Sequence, residues 1–516
     1  MKVLAFYLPQ FHTTTENDRW WGKGFTDWVA VKKAVPLYNG HNQPKVPYGD
    51  RYYDLTDVDS LKFQAELLLK YNVDGLCFYH YYFKNGKRLL TKPAEILLEH
   101  EEIPMPFCFS WANERWVRNW SNIIGDCNSW NDDTWDSAYI DEIDGVLVEQ
   151  SYGDIDDWEK HFYYLLPFFR DERYIRIHGH PLMIIYKQRD LYCMDDMKTC
   201  WEQLADKENM PSVVFISTNQ LSEDFSHRVI QEPQDTIFNG TFIDFSEMGT
   251  HILDYDTVWQ TILVKVMNME DGVCPGGFVR YDDTPRRGQN GIVIEKNSPE
   301  AFKYYIKLLM KLAYLKHSEF IMINAWNEWG EGMYLEPDDA EGFAYLEALR
   351  DAKREYYHAD IRVVDEFQSK LRTSLGNLEY ETVKQNEQEI ASTRAQRYIN
   401  YSETYRRWLK AKMQGKSISS YLLSNGYKNV AIYGMAALGR LLAIELNNSS
   451  VNLKYGIDQK GQQFNKEIPV YKPEDNLEAV DLVIMCLGIP DPQLNKKIKK
   501  RLGCRVLDMK DLIREI

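Results

Sequence analysis

From Val3 to about residue 350, short continuous apolar or β-branched runs alternate with longer stretches whose apolar residues recur every three or four positions. The runs are Val3–Leu8, Gly75–Tyr79, Pro106–Ser110, Leu182–Tyr186, Val213–Ser217, Thr236–Asn239, Gly277–Tyr281 and Phe320–Asn324. Unbroken apolarity of this kind belongs to strands buried on both faces. Helical spacing occupies Asp59–Tyr71, Asp156–Phe169 and Ser298–Leu315. A strand–helix order of this kind predicts a parallel sheet with crossover helices, and eight strands in this length fit an α/β fold of the (β/α)8 TIM-like barrel type. A doubly wound open sheet is the alternative the same alternation allows.

Beyond the predicted barrel, residues 1–350, the pattern changes. No proline occurs between Pro337 and Pro469, and residues 351–415 are rich in Glu, Lys, Arg, Gln and Asn, which predicts a helical connector. Residues 416–516 read as a small Rossmann-like α/β domain, at most half of such a fold. Its strand Val430–Tyr433 leads through the turn Gly434–Arg440 into a helix, and the strands Leu453–Ile457 and Leu482–Leu487 end at Asp458 and Gly488.

The chain has 516 residues and a formal charge of −16, and no stretch is expected to gather Lys and Arg into a nucleic-acid footprint. No apolar run approaches bilayer length, and Met1–Pro9 lacks the h-region of a signal peptide, so a cytoplasmic location is expected. Cysteines 77, 108, 127, 193, 200, 274, 486 and 504 are scattered, without Cys-x-x-Cys or histidine at zinc spacing, and read as reduced thiols. No metal site is expected; Asp282-Asp283 alone is a weak one. The 14 Trp and 34 Tyr suit a sugar-binding cleft.

Barrel chemistry gathers on the loops after the strands. After the eighth strand come Trp326-Asn327-Glu328-Trp329-Gly330-Glu331 and Glu336-Pro337. Cleavage of a glycosidic bond needs one carboxyl group to protonate the leaving oxygen and a second as nucleophile or base, and Glu328 and Glu331 are the candidates. Trp326 and Trp329 would wall the sugar, with Asn327 and Glu336 as polar contacts. The loop after the third strand offers Trp111, Asn113, Glu114 and Arg115, followed by Arg118-Asn119-Trp120. The other loops add His12, Trp20 and Trp28, then Tyr79 and His80, then Asp282 with Arg286-Arg287.

Five stretches together resemble the WbsX-like branch of the glycoside hydrolase family 99-like domain, found with lipopolysaccharide and other surface-polysaccharide biosynthesis. They are Phe6-Tyr7-Leu8-Pro9-Gln10-Phe11-His12, Asn17 with Trp20-Trp21-Gly22-Lys23-Gly24-Phe25-Thr26-Asp27-Trp28, Phe109-Ser110-Trp111-Ala112-Asn113-Glu114, Asp282-Asp283-Thr284-Pro285-Arg286-Arg287, and Asn324-Ala325-Trp326-Asn327-Glu328-Trp329-Gly330-Glu331-Gly332 ending in Glu336-Pro337. The resemblance implies a (β/α)8 barrel acting on an α-linked glycan, such as a mannoside or a deoxysugar of a bacterial polysaccharide. It implies a retaining reaction in which Glu328 assists the substrate's 2-hydroxyl, giving a 1,2-anhydro sugar, and Glu331 is acid and then base.

The C-terminal stretch resembles a Rossmann-type nucleotide-binding domain through Gly434, Gly439 and Asp458, with Ala436 where a second glycine belongs. It would hold a nucleotide or nucleotide sugar, although the barrel chemistry requires no cofactor. The partner implied is an oligosaccharide or polysaccharide. A glycoside hydrolase or transglycosylase is the first reading; a nucleotide-sugar-dependent glycosyltransferase and a non-catalytic glycan-binding protein are the alternatives.

Overall fold

A computed structural model describes residues 1–117, 146–191, 193–219, 225, 227–239, 249–371, 401, 404–458, 468–487 and 492–516. The chain divides into two units, Met1–Ser374 and Leu375–Ile516.

The first unit is a parallel barrel. Its strands are β1 (Lys2–Tyr7), β2 (Gly75–Tyr82), β3 (Phe107–Trp111), β4 (His180–Ile185), β5 (Val214–Thr218), β6 (Arg228–Val229), β7 (Gly276–Phe278) and β8 (Phe320–Asn324). They lie in the order β6-β5-β4-β3-β2-β1-β8-β7, with Ala5 opposite Leu76 on one side and Ile323 on the other. Closure comes from a bridge between Val229 and Cys274: Ile230 N donates to Cys274 O at 3.0 Å and Cys274 N to Arg228 O at 2.9 Å. Strands β1, β3 and β8 are buried on both faces almost throughout, as continuous apolar runs must be beneath a ring of helices.

Helices cross over between strands where side chains cap them. Asp57, Asp154 and Ser298 accept backbone N–H groups at the starts of Val58–Tyr71, Ile155–Arg170 and Pro299–Leu315. Their buried faces join one apolar core with the strands.

Two expected strands differ. Thr236–Asn239 lies in the helix Gln234–Asn239, because the Glu232 carboxylate accepts the Thr236 N–H at 3.0 Å and caps a β-prone tetrapeptide into a helical turn. The sixth strand is the two-residue β6 instead. The seventh ends at Phe278; Tyr281–Asp282 belongs to a separate three-stranded sheet, antiparallel to Ile292–Glu295, which also pairs with His251–Asp254.

The second unit holds five parallel strands: β9 (Asn429–Tyr433), β10 (Asn452–Ile457), β11 (Val470–Tyr471), β12 (Leu482–Met485) and β13 (Arg505–Asp508), in the order β11-β10-β9-β12-β13. Alternate residues of β9 serve opposite layers: Val430 and Ile432 pack with Leu442 and Leu512, Ala431 and Tyr433 with Val483 and Ile498. β11 spans two residues and β13 four with a charge at each end, too little for a continuous apolar run. Of the expected connector, residues 372–400 lie outside the described residues, as do Arg118, Asn119, Trp120 and Gly488. Among the described residues no helix is long and apolar enough to cross a membrane.

Candidate active site

At the C-terminal ends of the barrel strands lies a cavity of about 710 Å³. Its centre is the loop after β8. Asn327 pins that loop to β1: its Oδ1 accepts Leu8 N–H at 2.7 Å and its Nδ2 donates to Leu8 O at 3.0 Å, an extra rung on the sheet made by a side chain. The chain then turns tightly. A Cβ on Gly330 would lie 2.6 Å from both Arg286 Nε and Asp27 Oδ2, and Gly332 has φ +59° with its hydrogen facing Asp282. Glycine is therefore required at both positions.

The turn brings Glu328 and Glu331 onto one guanidinium. Arg286 Nη2 donates to Glu328 Oε2 at 2.9 Å, Nη1 to Glu331 Oε1 at 2.6 Å, and Nη2 to Asp27 Oδ2 at 3.0 Å. Burial pushes the Glu328 carboxyl up to about 8; Arg286 opposes this, while the neighbouring charges of Glu331 and Asp27 add to it. Glu331 is the more open of the two, its side chain 26 % exposed against 9 %. Gln234 Nε2 reaches its second oxygen at 3.4 Å, and Asn324 Nδ2 holds Gln234 Oε1 at 2.8 Å.

Of the predicted residues, Glu328, Glu331, Tyr79, Asn113, Glu114 and Arg115 line the cavity. Asn113 also fixes the rim: it donates to Lys187 O at 2.9 Å and accepts Lys187 N–H at 2.7 Å. Glu336 and the two indoles after β8 lie elsewhere. Trp326 and Trp329 donate to Glu336 at 3.0 and 2.7 Å, and Gln64 and Tyr53 add 2.7 Å bonds, so the carboxylate is enclosed by four donors. Burial raises it to about 7 against those donors, which favour the ionised form. Trp28 donates to Tyr53 O at 2.8 Å and packs on Trp329, while Trp20 packs on Trp116.

The remaining predicted residues are also held within the wall. His80 Nε2 meets His161 Nε2 at 2.9 Å, and burial lowers His80 to about 3. Trp111 donates to Tyr82 O at 3.0 Å. His12 is buried, which lowers its pKa. Burial opposes ionisation of Asp282, but hydrogen bonds led by His41 at 2.9 Å and Thr284 at 2.6 Å outweigh it and hold the carboxylate below its ordinary range. None of these residues lines the cavity.

The expected indole wall is mainly phenolic: Tyr79, Tyr81, Tyr186 and Tyr281 surround the acids, with Trp116 as the tryptophan of the lining. In the sequence Arg286 stands out only as a base on the loop after the seventh strand, and Asp27 only within a first-loop motif. No sequence signal marks their pairing, since burial of the guanidinium shows only in the fold and the first loop offers Glu16 and Asp18 as well as Asp27. Gln231 and Gln234 had no signal, since they precede and open a helix read as a strand.

In the second unit Gly434 turns with φ +93° after β9, and a Cβ on Gly439 would lie 2.0 Å from Gly434 O, so the helix Ala437–Asn447 packs directly on the turn. Asp458 Oδ2 accepts the Met435 N–H at 2.9 Å.

The glycosyltransferase WbsX family model matches residues 3–349. Over 373 residues the chain is 30 % identical to the protein WxcX of Xanthomonas campestris pv. campestris in two strains, covering 68 % of this chain and 49 % of WxcX. The chain thus spans about half the length of the curated relatives it matches. Among solved structures it is similar to the GH99 endo-alpha-mannosidase from Bacteroides thetaiotaomicron, with 16 % identity, 69 % of this chain and 97 % of that chain covered, and a TM-score of 0.40. A glycoside hydrolase-like protein aligns at 12 % identity over 68 % and 93 %, with a TM-score of 0.39.

Proposed function

Because the chain belongs to the glycosyltransferase WbsX family, we propose that its barrel is a carbohydrate-active enzyme that breaks an α-linked glycosidic bond of a bacterial surface glycan and passes the glycosyl unit to water or to another hydroxyl. The observation that carries this reading is the placement of Glu328 and Glu331 on one guanidinium at the wall of a tyrosine-lined cavity. Aromatic faces cover the C–H faces of a sugar and exclude water, and the paired carboxyl groups supply the proton transfers.

In the reaction, Glu328 takes the proton of the 2-hydroxyl while that oxygen bonds to the anomeric carbon. The glycosidic C–O bond breaks, and the leaving oxygen takes the proton of Glu331. An acceptor hydroxyl or water, deprotonated by Glu331, then opens the 1,2-anhydro sugar, and the 2-oxygen recovers its proton from Glu328. The buried Glu328 suits the internal step because burial makes it a stronger base once ionised. The more open Glu331 suits the exchange with leaving group and acceptor. Hydrolysis and transfer share the first step and differ only in the acceptor.

A diphosphate donor is disfavoured inside this cavity. Glu114, Glu149, Asp190, Glu328 and Glu331 line it against Arg115, Arg286 and Arg287, and of these Arg286 is already engaged by three carboxylates and Arg287 by Asp283. Glu331→Gln removes the proton donor with little change of shape and is expected to lower turnover of a cleaved glycan at least ~100-fold with the fold intact. Turnover near the wild-type rate would reject the assignment.

A further inference from the structure

The strongest unassigned feature lies in the second unit, on the helix Pro492–Leu502. Although no basic cluster was expected from the sequence, residues 496–501 hold five cations in six positions: Lys496, Lys497, Lys499, Lys500 and Arg501. The setting makes this more than a share of average composition. Residues 416–516 carry 15 Lys+Arg against 11 Asp+Glu, in a chain whose total is −16. A basic segment on an acidic chain is a charge asymmetry that marks an interaction surface.

The helix sorts its residues by face. At 100° per residue the four lysines fall within an arc of about 160°, opposite Leu494, Ile498 and Leu502. Those three pack into the core with Val483 and Met485, so the apolar side is already occupied. Arg501 is occupied as well: its guanidinium donates to the carbonyls of Pro473, Glu474 and Asp475. The four lysines are exposed, and none of them makes an ion pair or side-chain hydrogen bond. A row of exposed like charges without counter-charges repels itself, and it is relieved by an external anionic surface.

We propose that the solvent face of Pro492–Leu502 docks the chain on an anionic lipid surface. The chemistry selects this partner. Ammonium groups are flexible point charges that respond to a diffuse negative field, whereas specific phosphate or base recognition uses forked guanidinium groups and stacking rings. The exposed arc offers neither. Because the apolar side of the helix stays in its own core, attachment is electrostatic and peripheral, without insertion.

The test uses the full chain and sedimentation with vesicles. Wild type is expected to sediment with phosphatidylglycerol vesicles at low salt, to remain free with phosphatidylcholine vesicles, and to be released at ~0.5 M salt. Replacing the four residues together (K496Q/K497Q/K499Q/K500Q) is expected to weaken binding at least roughly tenfold with an unchanged melting temperature. Equal binding by this variant, or no sedimentation of the wild type with phosphatidylglycerol, overturns the proposal. So does lysine-dependent retention on duplex DNA without vesicle binding. Glycan turnover is expected to be the same in both proteins, so failure here leaves the barrel reading standing.

Discussion

Three carboxylates converge on Arg286, and one guanidinium neutralises only one of them. The crowded negative charge adds to burial in pushing the Glu328 carboxyl up to about 8. Glu328 must be ionised to take the 2-hydroxyl proton, so kcat/KM is expected to rise roughly tenfold per pH unit up to about 8. Asp27 adds negative charge that helps Glu328 retain its own proton. In Asp27→Asn this rising limb should therefore move to lower pH, and a pH–rate profile with the limb unmoved or raised would contradict the account. At this scale the sequence revealed reactivity better than placement. Two acids three residues apart after a strand are legible as a pair. Which way an indole points is not: Trp326 and Trp329 aim their N–H groups at Glu336, because a buried carboxylate among apolar neighbours must be satisfied first.

Elements position these groups through close approaches that only small residues allow. The turn after β8 passes so near Arg286 and Asp27 that a methyl group on residue 330 meets both. Gly330→Ala is expected to displace the guanidinium and lower turnover at least ~100-fold, and ligand-free crystal structures would show the Arg286–Asp27 pair broken. Retained turnover with that pair intact would contradict it. Strands with five or more apolar residues were legible from pattern alone. β6 was not, because two residues carry no period and its bonds come from Ser217, Thr218 and Cys274, distant in the chain. The helix Gln234–Asn239 was misread for a related reason: its β-branched and aromatic residues favour a strand, and its cap from Glu232 exists only in the folded protein.

Across the whole molecule each unit has its own apolar core, and the reacting residues all come from Met1–Ser374. The alternation of strands and helices specified a parallel sheet buried on two faces, which a barrel and a doubly wound sheet share; the Val229–Cys274 bridge that closes it carries no pattern of its own. The cavity was less legible, since its tyrosines and glutamines come from the ends of five strands, β2, β3, β4, β6 and β7, and acquire meaning only when the barrel closes. The account rests on glycosyl chemistry at Glu328 and Glu331, and anomeric-proton NMR of wild type and Glu328→Gln acting on the source organism's surface glycan tests it most directly. The prediction is a new reducing end or transfer product that retains the α configuration at first appearance and is absent with Glu328→Gln. An inverted first product, or the same product formed at the same rate by Glu328→Gln, would contradict it.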